Sequence, residues 1–186
     1  MVDGFIKRKI MRLDKFDYSQ AGPYFLTLCV FNKQNLFGFI TPQGDLELSP
    51  AGTMVKRTWQ GLPEHIPGLV IDEFIVMPDH LHAIIGFIDE RTWRAHRPAT
   101  TESEAVELAE IEFKVQEVSD IVRRFKNQTQ REYRRGVNLH NWKPYQGRLW
   151  QRGFWDRIIR NEKDLQAHRE YIYNNATKWH LDHNIQ

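Results

Sequence analysis

The clearest pattern in the chain is a set of apolar runs that predict β-strands. Residues 24–32 (YFLTLCVFN) are rich in aromatic and β-branched side chains, and two further apolar runs follow at 69–77 and 79–87. Pro78-Asp79 lies between the last two runs, and a connection this short favours an antiparallel pair. Shorter candidate strands lie at 36–40, 45–48, 149–151 and 154–159.

Apolar residues at helical spacing predict three helices. The first begins at Ser49-Pro50, because serine is a good N-cap and proline fits the first helical position. The second covers 117–134, where apolar residues recur at i, i+3, i+4 and i+7 and Gly136 follows as a stop signal. The third begins at the N-cap Asn161 and carries its apolar residues at the same spacing.

The order of these elements predicts the fold class. Strand, helix, strand, strand, helix, strand and helix suit an α+β, ferredoxin-like two-layer fold, with an antiparallel sheet and helices packed on one face. A length of 186 residues fits one domain, so we expect residues 1–186 to form a single domain. Residues 89–117 interrupt the pattern as a variable insert, for which the sequence suggests no role.

Composition narrows the class of protein. Hydrophobic residues make up 41% of the chain and charged residues 27%, as in globular domains. The single cysteine, Cys29, excludes a disulfide scaffold and a cysteine zinc cluster and fits a reducing cytoplasm. The apolar runs are far shorter than the roughly 20 residues that span a bilayer. The basic N-terminus lacks the apolar segment of a secretion signal, so we expect a cytoplasmic protein with no membrane partner.

Charge is unevenly distributed, although the formal net charge is only +2. Residues 123–160 contain eleven Lys and Arg residues against two acidic ones, and seven aromatic residues are interleaved with them. A surface of this composition can hold phosphates and stack unpaired nucleic-acid bases. A solvated helix face above core aromatics explains the same pattern, and composition alone leaves both interpretations open.

The sequence MPDHLHAII contains a candidate metal site. Because side chains alternate along a strand, His80 and His82 project to one face while Leu81 projects to the other. Two neighbouring imidazoles on a rigid strand can provide half of a metal site. The alternative is a pair of surface or hydrogen-bonded histidines at the end of a strand.

The last predicted helix contains a candidate nucleophile. Tyr171 and Asn175 are four residues apart and share one helix face, and Lys178 lies on the same stripe. A phenol beside an amide that can bind a metal is suited to phosphoryl transfer, provided that a cation stabilises the phenolate. Tyrosine at helical spacing is more commonly a core residue. Tyr173 and Tyr133 are weaker candidates for the same role.

Three separated segments, in the same order, resemble one protein family. They are RLDKFDYSQAGPYFLTLCVFNKQNLFG, IDEFIVMPDHLHAII and LWQRGFWDRIIRNEKDLQAHREYIYNNATKW. Together they resemble the REP-associated tyrosine transposases, which are HUH single-strand transposases of the type with one catalytic tyrosine (U is an apolar residue).

The resemblance implies an enzyme that nicks and rejoins single-stranded or hairpin-forming repeat DNA. His80 and His82 would bind one Mg²⁺ or Mn²⁺ ion, and Asn175 would complete the metal shell. Tyr171 would attack the scissile phosphate and form a 5′-phosphotyrosine intermediate, which leaves a free 3′-OH. Members of these families act as monomers or homodimers, and the sequence leaves that choice open.

In such an enzyme, the segment rich in bases and aromatic residues would be the DNA-binding surface. The residues that we expect to contact DNA are Arg123, Arg124, Lys126, Arg131, Arg134, Arg135, Trp150 and Arg152.

Two positions depart from the family pattern without removing a catalytic group. Relatives often have asparagine in place of Asp79 and proline in place of Ala176, and the extra carboxylate of Asp79 would strengthen cation binding. A domesticated protein that binds hairpin DNA without cleaving it is the alternative function. An RNA-binding ferredoxin-like module would carry aromatic pairs on its central strands, and no such motif occurs here.

Overall fold

The computed structural model describes residues 23–87 and 118–183 of the chain. The predicted insert at 89–117 and the first part of the N-terminal segment that resembles the family lie outside these residues. The strands are β1 (Tyr24–Cys29), β2 (Gly38–Ile40), β3 (Leu46–Leu48), β4 (Leu69–Met77), β5 (His80–Phe87) and β6 (Trp155–Ile158). The helices are α1 (Pro50–Gln60), α2 (Leu62–His65), α3 (Val118–His140), α4 (Glu162–Tyr173) and α5 (Asn175–His183), with a 3₁₀ turn at Phe31–Lys33.

Four strands form one antiparallel sheet in the order β4-β5-β1-β6. Because α1 lies between β1 and β4 in the chain, and α3 between β5 and β6, this is the ferredoxin-like topology. The predicted fold class is confirmed, as is the antiparallel pairing of β4 and β5 across Pro78-Asp79. The strands β2 and β3 form a separate hairpin that precedes α1.

The two faces of the sheet are covered differently, because side chains alternate along each strand. Leu81 and Ile85 point to one face and form the main core together with α1 and α3. Ile84 points to the opposite face, where it packs against Ile172 of α4. The helices α1 and α3 therefore form the predicted helical layer, and α4 covers part of the face on which His82 lies.

Two of the predicted helix starts are confirmed in atomic detail. The Ser49 hydroxyl accepts a hydrogen bond from the Gly52 amide at 3.1 Å, and Pro50 is the first residue of α1. The Asn161 side chain accepts a hydrogen bond from the Asp164 amide at 2.9 Å at the start of α4. In both cases a side-chain oxygen satisfies a backbone donor that the helix itself leaves unpaired.

The prediction that α3 stops near Gly136 is wrong. The helix continues to His140, and Gly136 is buried inside it. A Cβ atom at this position would lie 2.1 Å from the Trp142 ring, so the glycine allows the indole to pack directly on the helix backbone. In the described part of the chain, no helix has both the length and the apolar character needed to cross a membrane.

The predicted strand at 149–151 is reduced to one bridge. Trp150 pairs with Val30 in an isolated antiparallel bridge, and the next regular strand is β6. The segment between the bridge and β6 contains Gly153, where the pairing with β1 is interrupted.

Candidate active site

His80 and His82 form a buried pair on β5, the strand between β4 and β1. Their ring centroids lie 4.5 Å apart and the ring planes are inclined by 76°. Each residue exposes only 6% of its surface, which argues against a pair of solvated surface histidines. Because β5 is paired on both sides, the backbone holds the two imidazoles in a fixed relative position.

The carboxylate of Asp79 orients the His80 ring. The Nδ1 atom of His80 donates to Oδ1 of Asp79 at 2.5 Å, and Oδ2 of Asp79 lies 3.3 Å from the Lys33 ammonium. Burial alone would raise the pKa of Asp79, but the hydrogen bond with His80 and the charges of His80 and Lys33 leave that pKa below its usual value. With Nδ1 occupied, Nε2 is the nitrogen of His80 that remains for a ligand. A carboxylate behind an imidazole is the usual outer arrangement at metal-binding histidines.

The surroundings of His82 keep its imidazole neutral. Burial, followed by the proximity of His80, lowers the pKa of His82 to about 3. The Thr27 hydroxyl of β1 lies 2.8 Å from Nδ1, and the Phe25 ring stacks on the imidazole with centroids 5.3 Å apart. When Nδ1 carries the ring proton and donates it to Thr27, the lone pair of Nε2 is available to bind a cation near neutral pH.

Tyr171 of α4 faces this pair. Its hydroxyl lies 3.4 Å from Nε2 of His82, and the centroids of the two rings are 5.2 Å apart. The tyrosine is 39% exposed, and its ring packs edge-on against Phe25. The Lys178 ammonium lies 5.6 Å from the centroid of the Tyr171 ring and places a positive charge beside the phenol. Residues 89 positions apart in the sequence thus meet within reach of a single phosphate.

The helices on either side of the α4–α5 junction each contact one histidine, α4 through Tyr171 and α5 through Trp179. After Tyr173 ends α4, the backbone N–H of Asn174 caps the helix by donating to the carbonyl of Glu170 at 3.0 Å. The next helix, α5, begins at Asn175, which is buried, and its Trp179 ring lies 5.6 Å from the His80 ring. The buried amide of Asn175 thus lies in sequence between the two residues that touch the pair.

Three contacts position α4 on the sheet. Asn161 caps its N-terminus, and Ile172 packs with Ile84 beneath it. Arg169 forms an ion pair with Asp72 of β4, with the shortest N–O distance 2.8 Å. The register of β4 against β5 shifts between Ile71 and Phe74, the stretch that contains Asp72. A bulge of this kind re-aims side chains, and here it supplies a docking point for α4.

The donor set suits a cation with open coordination positions rather than a closed structural site. Among the described residues, no group of three or more His, Cys, Asp and Glu side chains is arranged to hold a metal ion. The pair offers two imidazole nitrogens, and the amide oxygen of Asn175 is a further donor of suitable chemistry. Two or three protein ligands leave room for water and substrate oxygens, as catalytic metal sites require, and imidazole suits Mn²⁺ better than Mg²⁺.

Five of the arginines expected to contact DNA lie on one side of α3. At 100° per residue their positions fall within an arc of about 120° of the helix. All five are exposed, and α3 packs on the face of the sheet opposite His80 and His82. These residues, named here the arginine face, are Arg123, Arg124, Arg131, Arg134 and Arg135.

Lys126 does not belong to the arginine face. Its ammonium donates to the backbone carbonyls of Gln151 and Gly153 at 2.9 and 2.8 Å. Burial lowers the pKa of Lys126 to about 8, although a negative charge at Cys29 would raise it. The lysine ties α3 to the segment before β6, so its expected role as a phosphate contact is corrected to a structural one.

Trp150 is likewise a core residue, and the expectation that it contacts DNA is wrong. It is only 3% exposed, its indole N–H donates to the Thr129 hydroxyl at 2.8 Å, and its ring packs against Phe37 and Phe125. The bridge to Val30 holds it beneath the sheet edge. The neighbouring Arg152 is exposed, as a DNA contact would require.

The two alternative tyrosines are unsuited to the role of nucleophile at this site. Tyr133 is buried, its hydroxyl donates to the Lys143 carbonyl at 2.8 Å, and burial together with Tyr145 raises its pKa to about 12. Tyr173 is 86% exposed and points away from the histidine pair into solvent.

Comparison with known proteins gives relatives along most of the chain. An uncharacterized protein of Haemophilus influenzae (strain ATCC 51907 / DSM 11121 / KW20 / Rd) is 35% identical over 179 residues, which cover 96% of this chain and 93% of the relative. A second protein of that strain, named as a putative REP-associated tyrosine transposase, is 24% identical over 162 residues, covering 87% and 74% of the two chains. No family model matches the sequence.

A solved structure shares the fold. It is a REP-associated tyrosine transposase bound to a REP hairpin, and it superposes with a TM-score of 0.53 at 21% sequence identity. The match covers 91% of this chain and 74% of the other. The overall fold is therefore one that this chain has in common with that solved transposase.

Proposed function

We propose that this chain is a REP-associated tyrosine transposase, a metal-dependent nickase and strand transferase for single-stranded, hairpin-forming DNA; its similarity in sequence and in fold to proteins of that name supports the proposal. One observation carries the proposal: the Tyr171 hydroxyl lies 3.4 Å from Nε2 of His82, beside the buried imidazole of His80. A nucleophile and two metal-binding groups are thus within reach of one phosphate. A purely structural tyrosine would not need to be accessible to solvent at this point.

The residues of the pair fit a divalent cation. Nε2 of each imidazole is the donor, because Asp79 engages Nδ1 of His80 and Thr27 lies against Nδ1 of His82. A Mn²⁺ or Mg²⁺ ion bound there would act as a Lewis acid on the scissile phosphate. Asn175 is the third candidate ligand, since its buried amide begins the helix that packs on His80.

The proposed transfer needs no nucleotide cofactor. The Tyr171 oxygen attacks phosphorus in line, a new P–O bond to tyrosine forms, and the bond from phosphorus to the 3′ oxygen breaks. The phenol proton is lost and the 3′ oxygen gains one, which leaves a 5′-phosphotyrosine and a free 3′-OH. Attack of another 3′-OH reverses the step and rejoins DNA, because the phosphotyrosine retains the energy of the broken bond. The chain's own residues position the reactants, and Lys178 offsets negative charge on the phenol oxygen.

The arginine face of α3 is the proposed site for the hairpin stem. Five exposed guanidinium groups along one side of a helix match the phosphates of a duplex, and the solved relative with the same fold is bound to a REP hairpin. Stem binding and strand cleavage would then take place on opposite faces of the sheet.

Covalent trapping tests the proposal. The probe is a pool of oligonucleotide hairpins with randomised single-stranded flanks, incubated in Mn²⁺ and resolved on a denaturing gel. Wild-type protein should form a DNA adduct that Tyr171→Phe cannot form, whereas Tyr173→Phe should form it normally. Replacing both His80 and His82 with alanine should abolish the adduct and leave hairpin binding largely intact. Hairpin binding without any adduct, across several divalent metals, would instead identify a hairpin-binding protein that does not cleave.

A further inference from the structure

Trp155 is an exposed aromatic residue on the same face of the sheet as the histidine pair. In the register of the sheet, Thr27 of β1 lies opposite both His82 of β5 and Trp155 of β6. Residues opposite one another in an antiparallel ladder project to the same face, so His82, Thr27 and Trp155 form one row. Strands lie ~4.8 Å apart, which places Trp155 about 10 Å from His82 across the sheet.

The burial pattern of β6 confirms this orientation independently. Ile158 packs with the main core on the α1 and α3 side, whereas Ile159 packs with Ile84 and Ile172 on the α4 side. By alternation, Trp155 shares the face of Ile159. Its ring is 48% exposed, although a tryptophan on a sheet face beside a helix is normally covered.

The helices leave Trp155 half exposed on this side of the sheet. The helix α4 packs mainly on β4 and β5 and reaches β6 at its N-terminal end, where Asp164 pairs with Arg157, and α5 packs on β2. In the part of the chain that the structure describes, β6 is the edge strand beside β1. Trp155 and the partly exposed Tyr171 are thus both accessible to one ligand on this face.

Basic residues lie on the surface between Trp155 and the arginine face. Arg152 is exposed, and the carbonyls on either side of it, those of Gln151 and Gly153, accept hydrogen bonds from Lys126 of α3. Arg157 lies two residues after Trp155, on the same face; its side chain is 67% exposed, and its guanidinium is paired with Asp164 of α4 at 3.2 Å. Arg152 therefore places positive charge between α3 and the tryptophan, where a nucleic-acid backbone that runs between them would pass.

We propose that Trp155 is the stacking platform for an unpaired base of the DNA strand whose phosphate lies at Tyr171. This inference rests on the proposed function, since it takes the histidine pair as the site of the scissile phosphate. The occupant is one nucleotide of the single-stranded segment next to the cleavage point, held by its flat face and not by its base edge. Stacking of this kind tolerates any base, so Trp155 would contribute affinity and position more than sequence choice.

Binding measurements with matched DNA probes test this role. All proteins carry Tyr171→Phe, so that no DNA is cut and no metal is needed. The probes are one hairpin stem with a single-stranded thymidine extension of about ten nucleotides on its 5′ or 3′ side, and the same stem without an extension. Trp155→Ala should weaken binding of at least one extended hairpin about five-fold or more, and leave binding of the bare stem unchanged. Trp155→Phe should restore most of the affinity, and Tyr173→Ala, a change at another exposed aromatic residue, should behave as wild type.

A second arm identifies the stacked base. Abasic spacers replace the extension's thymidines one at a time, and one of these probes should bind the parent protein several-fold more weakly while Trp155→Ala shows no further loss. Equal losses on bare and extended stems, or no loss on either, would overturn the proposal while leaving nicking untouched. A change of molecular mass in sedimentation on Trp155→Ala would overturn it in favour of contact with a second copy of the chain. Failure of the covalent trap would contradict the nicking proposal, but the binding experiment would still show whether Trp155 contacts the single-stranded extension.

Discussion

At the scale of single residues, the two histidines are distinguished by the groups behind them. Nδ1 of His80 donates to a carboxylate, whereas Nδ1 of His82 lies against a hydroxyl. A carboxylate partner makes an imidazole a stronger electron donor than a hydroxyl does. We therefore expect His80 to be the stronger ligand in the proposed metal site, while His82 faces Tyr171, the proposed nucleophile.

Asp79→Asn tests the role of the carboxylate. Asparagine can still accept the hydrogen bond from His80, but it removes the negative charge next to the cation. We expect Mn²⁺ affinity, measured by isothermal titration calorimetry on the Tyr171→Phe protein, to fall about ten-fold. The matched control is Asp45→Asn, which removes one carboxylate from an exposed position and should leave the affinity unchanged. Equal Mn²⁺ affinity in Asp79→Asn and wild type would mean that Asp79 only orients the ring.

At the scale of elements, local signals predict most of the fold. The caps at Ser49 and Asn161 and the β4–β5 pair are confirmed, because each depends on a few neighbouring residues. The stop signal at Gly136 misleads because the glycine is needed for a contact with Trp142, outside the helix itself. The local sequence indicates that a glycine is conformationally free, but it does not indicate that the Trp142 ring packs on Gly136.

In the candidate site too, local features are predicted correctly, whereas contacts between distant segments are not. Spacing and family resemblance identify His80, His82 and Tyr171, and the structure places them together. The approach of Thr27 to His82 depends on the register of β1 against β5, which no short motif encodes. The assignment of Trp150 to DNA fails for the opposite reason, because composition cannot distinguish a core indole from an exposed one.

The docking of α4 determines whether the nucleophile reaches the histidines. Asp72→Asn removes the charge that holds Arg169, two residues before Tyr171, without changing the sequence of the helix. We expect adduct formation under single-turnover conditions to slow several-fold, because Tyr171 would spend less time against His82, while hairpin affinity stays constant. Glu162→Gln is the control, since its contact with Arg169 is longer, 3.6 Å, and Glu162 is exposed. An Asp72→Asn protein that reacts at the wild-type rate would show that packing of Ile172 alone positions the helix.

At the scale of the whole molecule, the sheet separates two surfaces. The face that carries the histidines is partly covered by α4, and the other face is covered by α1 and α3. The arginine face points away from the sheet, so the proposed stem site and the proposed cleavage site lie on different surfaces. DNA bound at both places must pass around the sheet, and the edge formed by Arg152 and Trp155 is the basic route that the described residues offer.

This separation predicts that stem affinity and chemistry can be changed independently. Replacing Arg123, Arg131 and Arg134 with glutamine should weaken hairpin binding and lower the slope of log affinity against log salt by about 0.9 for each DNA phosphate that the variant no longer neutralises. The adduct rate at saturating DNA should stay close to that of wild type, because none of the three arginines lies on the face of the histidines. Arg57→Gln on α1 is the control for loss of a positive charge elsewhere in the same helical layer. An unchanged salt slope in the triple variant would place the stem elsewhere. A large fall in the rate of adduct formation at saturating DNA would show instead that one continuous surface binds both the stem and the strand that is cleaved.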